Sequence, residues 1–220
     1  MSGRAPRLQR AGIKLVALVA VGSLAACGGS RGPDPSSYLA ARGAAFASGN
    51  EVALCHGHGC RLSTKIVLAD ADWSEMKRLF GDGPAESAAD ERARIAAAIG
   101  LMEGRLGGRA GLAGDRGRNV FPPTDDQLDC IDETLNTTIY LDLLAQHGWM
   151  TWHRVDRPAK RGFDRGELWV HETAVVSEIA TGRAYVVDSW FHDNGTPPHV
   201  VPLSLWLAGW LPGDPLPLDS

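Results

Sequence analysis

The chain has 220 residues, 44% hydrophobic and 22% charged, the balance of a globular protein rather than of a disordered one. Its 22 Lys and Arg against 26 Asp and Glu give a net charge of −4, the wrong sign for a surface that neutralises nucleic-acid phosphates. Four cysteines are too few to staple a mini-protein, and no apolar run reaches the roughly 18–20 residues of a spanning helix.

The first residues read as an address. Arg4, Arg7, Arg10 and Lys14 make a basic stretch without acids, and Leu15 to Leu24 is an apolar run of signal-peptide length. Leu24-Ala25-Ala26-Cys27-Gly28 follows, and it resembles the lipobox of bacterial lipoproteins. The resemblance implies removal of residues 1–26 and diacylation of Cys27, holding the protein to a membrane by acyl chains. The expected location is then outside the cytoplasm, on the periplasmic face of the outer membrane if the source has two membranes. Loss of four basic residues takes the net charge to about −8. Residues 27–37, with Ser30 to Ser36 reading SRGPDPS, form a polar tether, and residues 38–220 form one domain.

Export gives the other cysteines a meaning. Cys55 and Cys60 flank four residues, two of them glycine, which can close a small disulfide loop. With His56 and His58 they could instead contribute zinc ligands, although structural sites usually draw ligand pairs from two separate segments. No metal site is assigned, and no cofactor is expected. Cys130 is left over, and an odd cysteine in an exported chain reads as a reactive thiol or an intermolecular bridge.

In chain order, Tyr38 to Ser48 is Ala-rich and reads as a short helix, and Lys65-Ile66-Val67-Leu68 as a strand. Asp72 to Phe80 reads as a helix with Trp73, Met76 and Leu79 or Phe80 on one face. Ser87 opens another, carrying Ile95, Ile99, Met102 and Leu106, with Gly107-Gly108 as its stop. Residues 104–120 read as a Gly-rich loop. Ile131, Leu135, Ile139 and Leu143 then mark one apolar helix face, closed by Gly148. Asp129 is the candidate N-cap, which places Cys130 at the first helical position. The helix N-terminus favours a thiolate there, and the charges of Asp129, Asp132 and Glu133 oppose it. Trp149 to Val155, Leu168 to Ile179 and Tyr185 to Phe191 read as strands, with Thr181-Gly182 marking a turn. Leu203 to Trp210 is a short apolar segment expected to pack onto the sheet.

Cys130 at a helix start, His171 in one strand and Asp188 in the next supply a nucleophile, a base and a group that orients the base. His153 and His192 are alternative bases. The layout resembles the core of the transglutaminase-like branch of papain-fold cysteine enzymes. There a Cys opens a core helix, the helix runs to a Gly and a strand, a His begins a strand and an Asp closes the next. The matching pieces are Cys130-Ile131-Asp132-Glu133, Gly148-Trp149, Val170-His171-Glu172 and Val186-Val187-Asp188, spanning about Gln127 to Trp190. Glu172-Thr173 and Ser189 stand where the family often has an aromatic residue and a proline.

The resemblance implies an α+β fold with a papain-like core, the nucleophile helix packed on an antiparallel sheet. It implies a cysteine hydrolase or transamidase acting on amide bonds of a peptide or protein through Cys130, His171 and Asp188. The family's oxyanion Gln lies several residues before its Cys. Gln127, three before, is a poor match for it, and the Cys130 backbone N–H is a second donor. The rival reading is a binding or assembly module on the same fold, without turnover. Hairpin register separates the two geometrically. A four-residue loop at Glu178 to Thr181 puts His171 opposite Asp188, whereas a two-residue turn at Thr181-Gly182 leaves them roughly 13 Å apart along the strand.

Overall fold

Asp129 starts the central helix. Its side chain accepts the N–H groups of Ile131 and Asp132, and Asp132 accepts the Asp129 N–H in return. This reciprocal cap satisfies amides that the first turn leaves without partners and begins α5 at Cys130–Gln146. In the computed structural model, residues 34–119, 122–162 and 170–216 are described, with Met1 and Gly3. The lipobox, Cys27 and the tether up to Pro33 lie outside the described residues, as do Val120, Phe121 and residues 163–169.

Helix α1 (Pro35–Ala40) is followed by a hairpin of β1 (Glu51–His56) and β2 (Leu62–Val67), then by α2 (Asp70–Phe80) and α3 (Ala88–Met102). A π-helical turn at Glu103–Gly107 leads into α4 (Gly108–Ala110), and α5 follows. Strands β3 (His153–Arg161), β4 (His171–Glu178), β5 (Ala184–Asp188) and β6 (His199–Pro202) form an antiparallel sheet in that order, and α6 (Leu203–Leu207) follows. The fold is α+β with antiparallel sheets. No described helix is long and apolar enough to cross a membrane.

The alternation of β4 and β5 distributes their side chains over two cores. Ala174, Val176, Tyr185 and Val187 face α5 and its Leu135, Ile139 and Leu143. Val175, Val186 and Val201 face Trp206 and Trp210 on the other side. Helix α5 is buried nearly all round, and most of its buried polar side chains are bonded there. The Asn136 side chain, for example, accepts the Cys55 N–H at 2.7 Å and donates to the Cys55 carbonyl at 2.9 Å.

Cys55 and Cys60 form a disulfide, with Cα atoms 4.5 Å apart. The loop that it closes wraps the first turn of α5. His58 and Cys60 donate their backbone N–H groups to Asp132 at 2.8 and 2.6 Å. Both residues have positive φ, 69° and 58°, which turns the amides inward.

Several boundaries differ from the sequence expectation. Helix α1 begins at Pro35, inside the stretch read as tether, and ends at Ala40. Strand β3 starts at His153 rather than Trp149, because Thr151, Trp152 and His153 turn their amides onto the buried Glu91 carboxylate. The glycines at 107 and 108 do not end the α3 run, which continues as the π turn and α4 to Ala110. Gly107 serves close approach instead, as do Gly100 and Gly117. A Cβ on Gly100 would meet the Pro197 backbone at 2.8 Å, one on Gly107 the Asn194 side chain at 2.6 Å, and one on Gly117 the Phe191 carbonyl at 2.6 Å.

Candidate active site

Hairpin β4–β5 pairs Ser177 with Ala184 and Ala174 with Val187. The loop is therefore Ile179 to Gly182, with Gly182 at φ 72°, one residue on from the four-residue loop expected. Continued along the strands, this register sets Asp188 opposite Thr173. His171 lies two residues further on the same face, a diagonal that a long side chain spans. His171 Nε2 meets Asp188 Oδ2 at 2.8 Å, with both side chains buried.

Trp206 of α6 donates its Nε1–H to the same Asp188 oxygen at 2.8 Å. Trp206 is itself held by Arg161, whose guanidinium lies 4.5 Å over the ring and donates to the Trp206 and Trp210 carbonyls. The rings of Trp190, Phe191 and Trp206 surround the imidazole at 4.7, 5.4 and 5.5 Å. Among the described residues, one polar atom within this wall is free: His171 Nδ1 is buried and has no hydrogen-bond partner.

Cys130 is half-buried at the start of β4. Its Sγ donates to the Val170 carbonyl at 3.8 Å, on one side of His171, and receives the Glu172 backbone N–H on the other. Thiol and imidazole make no hydrogen bond to each other in this arrangement. Burial pushes the thiol up to about 11, and the charges of Asp129 and Asp188 add to it. The N–H groups of Glu172 and of Cys130 itself pull the other way without overcoming them. The contest between helix N-terminus and neighbouring acids is thus won by burial and the acids, and the resting group is a thiol.

Gln127 is committed elsewhere. Its amide nitrogen donates to the Gly114 carbonyl at 2.9 Å, and its oxygen accepts the Arg116 N–H at 3.1 Å and the Asn119 side chain at 2.5 Å. It ties the 112–119 loop to the start of α5, and the donors left at the thiol are the backbone N–H groups of Cys130 and Glu172. His153 is committed too, its Nδ1 bonded to the buried Glu91 at 2.9 Å. His192 lies with its ring 4.6 Å from His199.

The loop histidines do not assemble a metal centre with the cysteines. Both sulfurs are in the disulfide, and His56 bonds the Asp125 carbonyl at 2.7 Å and Thr64 Oγ1 at 3.0 Å. Among the described residues, no three His, Cys, Asp or Glu side chains are placed to hold a metal ion. A cavity of about 460 Å³ lined by Lys77, Phe80, Pro84, Gly148, Trp149 and Thr151 sits beyond the C-terminal end of α5, the far end of the helix from Cys130.

Sequence reasoning missed Trp206 as a site residue, and it missed a layer of acids behind the site. Glu103, buried and hydrogen-bonded to Ser189 and to the Gly195 backbone, is pushed up to about 8 by burial. Asp115 and Asp132 are pushed up to about 7, and Glu133 well above the usual carboxylate range, again chiefly by burial. Glu103 sits in the π turn, a distortion common at functional sites, but spacing rules keyed to 3.6 residues do not reveal it. No protein-family model, curated protein or solved structure matches the chain.

Proposed function

We propose that this protein is an exported, lipid-anchored cysteine hydrolase or transamidase that acts on amide bonds of peptides or proteins through Cys130, His171 and Asp188, on a papain-like, transglutaminase-like core. The observation that carries the reading is the imidazole fixed through Nε2 by Asp188, with its buried Nδ1 left unbonded. The thiol of Cys130 contacts the backbone on both sides of that imidazole.

Because Cys130 rests as a thiol, His171 works as a general base rather than as half of a preformed ion pair. In this reading Sγ turns away from the Val170 carbonyl and presents its proton to Nδ1. As Sγ forms a bond to the amide carbonyl carbon, Nδ1 takes the proton and the Cys130 backbone N–H receives the oxyanion. The protonated His171 then gives its proton to the leaving amine as the C–N bond breaks, leaving an acyl thioester. Water or a second amine attacks the thioester carbonyl, His171 takes its proton, and the thiol is restored. Asp188 holds the tautomer and balances the imidazolium charge.

The test is intact-mass detection of an acyl adduct on Cys130 after exposure to 4-nitrophenyl acetate, with amide turnover followed on fluorescein-labelled casein. Loss of both signals in Cys130→Ser and in His171→Ala supports the reading. The rival, a binding or assembly module without turnover, draws on the raised thiol and its bond to Val170, and wild type that never acylates would establish it. Anchoring is tested separately: Cys27→Ser should move the protein from the membrane fraction to the soluble one, and unchanged retention would refute lipid attachment.

A further inference from the structure

Glu172 follows His171 in β4, and its backbone N–H is the one that faces the Cys130 sulfur. Its side chain lies on the opposite face of the strand, where three cations gather. Lys160, its cross-strand partner in β3, reaches Oε1 at 2.5 Å. Arg42 holds both carboxyl oxygens at 2.9 and 3.1 Å, and the Tyr38 hydroxyl bonds Oε2 as well. Arg157 lies three residues before Lys160 on the same strand, and its charge acts on both Arg42 and Lys160. It sits in the β3 bulge between Asp156 and Ala159, where an extra residue re-aims a side chain.

The charges there do not balance. Among the described residues the Arg157 guanidinium has no acidic partner: Asp156, beside it, bonds Ser177 at 2.5 Å and faces Arg154 at 3.7 Å. Burial pushes Glu172 up to about 7, so at neutral pH it cancels at most one of three positive charges. Lys160 is about half exposed, with 49% of its side chain accessible, and Arg157 is exposed, so both can meet a ligand. Glu172, which holds Lys160 and Arg42 by its side chain, is the residue whose backbone N–H faces the Cys130 sulfur, so the excess charge gathers on a residue next to the thiol. A cationic cluster on a chain of net charge −4 is against the grain of its composition.

Resting on the proposed cysteine chemistry, we infer that Arg42, Arg157 and Lys160 form a carboxylate subsite, so that the amide substrate carries a free carboxylate within about one or two residues of the scissile bond. Glu172 sets the spacing of the cluster by holding Arg42 and Lys160, and Arg157 supplies an open guanidinium fork whose N–H groups donate to a carboxylate.

Two thiol reagents of similar size, one anionic and one neutral, read this directly: iodoacetate and iodoacetamide, with peptide mapping at Cys130 in the full folded protein at pH 8. The ratio of their rates, normalised to N-acetylcysteine, should favour iodoacetate by roughly fivefold, and salt should erode the preference. Arg157→Gln and Lys160→Gln should each bring the ratio back toward that of N-acetylcysteine. N-acetylglycine should protect Cys130 from iodoacetamide, and N-acetylglycine amide should not. A ratio equal to that of N-acetylcysteine, unmoved by either substitution, overturns the subsite while leaving the thiol reading intact. A Cys130 that reacts with neither reagent overturns both. Protection by phosphatidylglycerol vesicles where N-acetylglycine gives none would assign the cations to a lipid headgroup and overturn the substrate claim.

Discussion

His171 and Trp206 share one oxygen of Asp188: each places a ring nitrogen 2.8 Å from Oδ2, one from the β4 strand and one from α6. The oxygen that orients the imidazole is therefore itself oriented by a residue 18 positions later in the chain. Trp206→Phe keeps the ring volume and deletes the donor. The expected result is a loss of about 1–3 kcal/mol in denaturant unfolding, from a buried acceptor left short of a partner. The same variant should lower acylation of Cys130 by more than it lowers alkylation, since alkylation needs no oriented imidazole. Equal losses in the two rates would assign Trp206 to packing alone.

The thiol should be slow. With Cys130 pushed up to about 11, its iodoacetamide rate should climb steadily from pH 7 to pH 10 without a plateau, and lie below that of N-acetylcysteine at neutral pH. An alkylation plateau near pH 6–7 would show a preformed thiolate, and His171 would then act through an ion pair.

Four buried acids give stability an unusual pH dependence. Glu103 rises to about 8, Asp115 and Asp132 to about 7, and Glu133 rises as well, so the folded state holds protons that the unfolded chain has released. Their contribution is full below pH 4, falls as pH rises through the window from about 4 to about 8, and is then lost. Unfolding free energy should drop by roughly a few kcal/mol between pH 5 and pH 8. Glu103→Gln and Glu133→Gln should flatten the slope. A profile flat in wild type would mean that these carboxyls ionise freely in the folded protein.

Glu91 behaves in the opposite sense. Burial works to raise it, but hydrogen bonds from His153, Trp152 and Thr151 outweigh burial and hold it below the usual range. Its stabilisation is present above the unfolded value and is lost as pH falls through the lower folded one. Glu91→Ala strands those donors and the His153 ring at the start of β3, and should cost about 3–5 kcal/mol in urea unfolding. A cost under 1 kcal/mol would mean that water replaces the carboxylate.

Much of the candidate site was legible because its signals are local. Asp129 as cap and Ile131, Leu135, Ile139 and Leu143 as a face place Cys130 at a helix start without any tertiary information. His171 and Asp188 were legible as strand residues, but their meeting was not. It depends on whether the turn takes four residues or two: a four-residue loop at either 178–181 or 179–182 leaves them within reach, a two-residue turn at Thr181-Gly182 does not, and Gly182 is compatible with either length. Trp206 was hidden for another reason: Leu203 to Trp210 reads as apolar packing, and an indole N–H pointing at an acid leaves no trace in hydropathy. Strand β1 was also missed, because Cys55 and His56 drew the reading toward a loop while the alternation of Val52 and Leu54 into the core went uncounted.

The glycine contacts behind the site have a mechanical meaning. Where Gly100, Gly107 and Gly117 meet residues 191–197, two of the three contacts are with main chain, and a Cβ on Gly195 would meet the Gly104 Cα at 3.1 Å. At such a seam few side chains can swing aside to absorb a displacement. The stretch that carries Trp190 and Phe191 beside His171 is therefore stiffly geared to α3 and the π turn. A ligand that pushes on the aromatic wall must shift the helix or be refused, so the wall acts as a fixed gauge rather than a cushion.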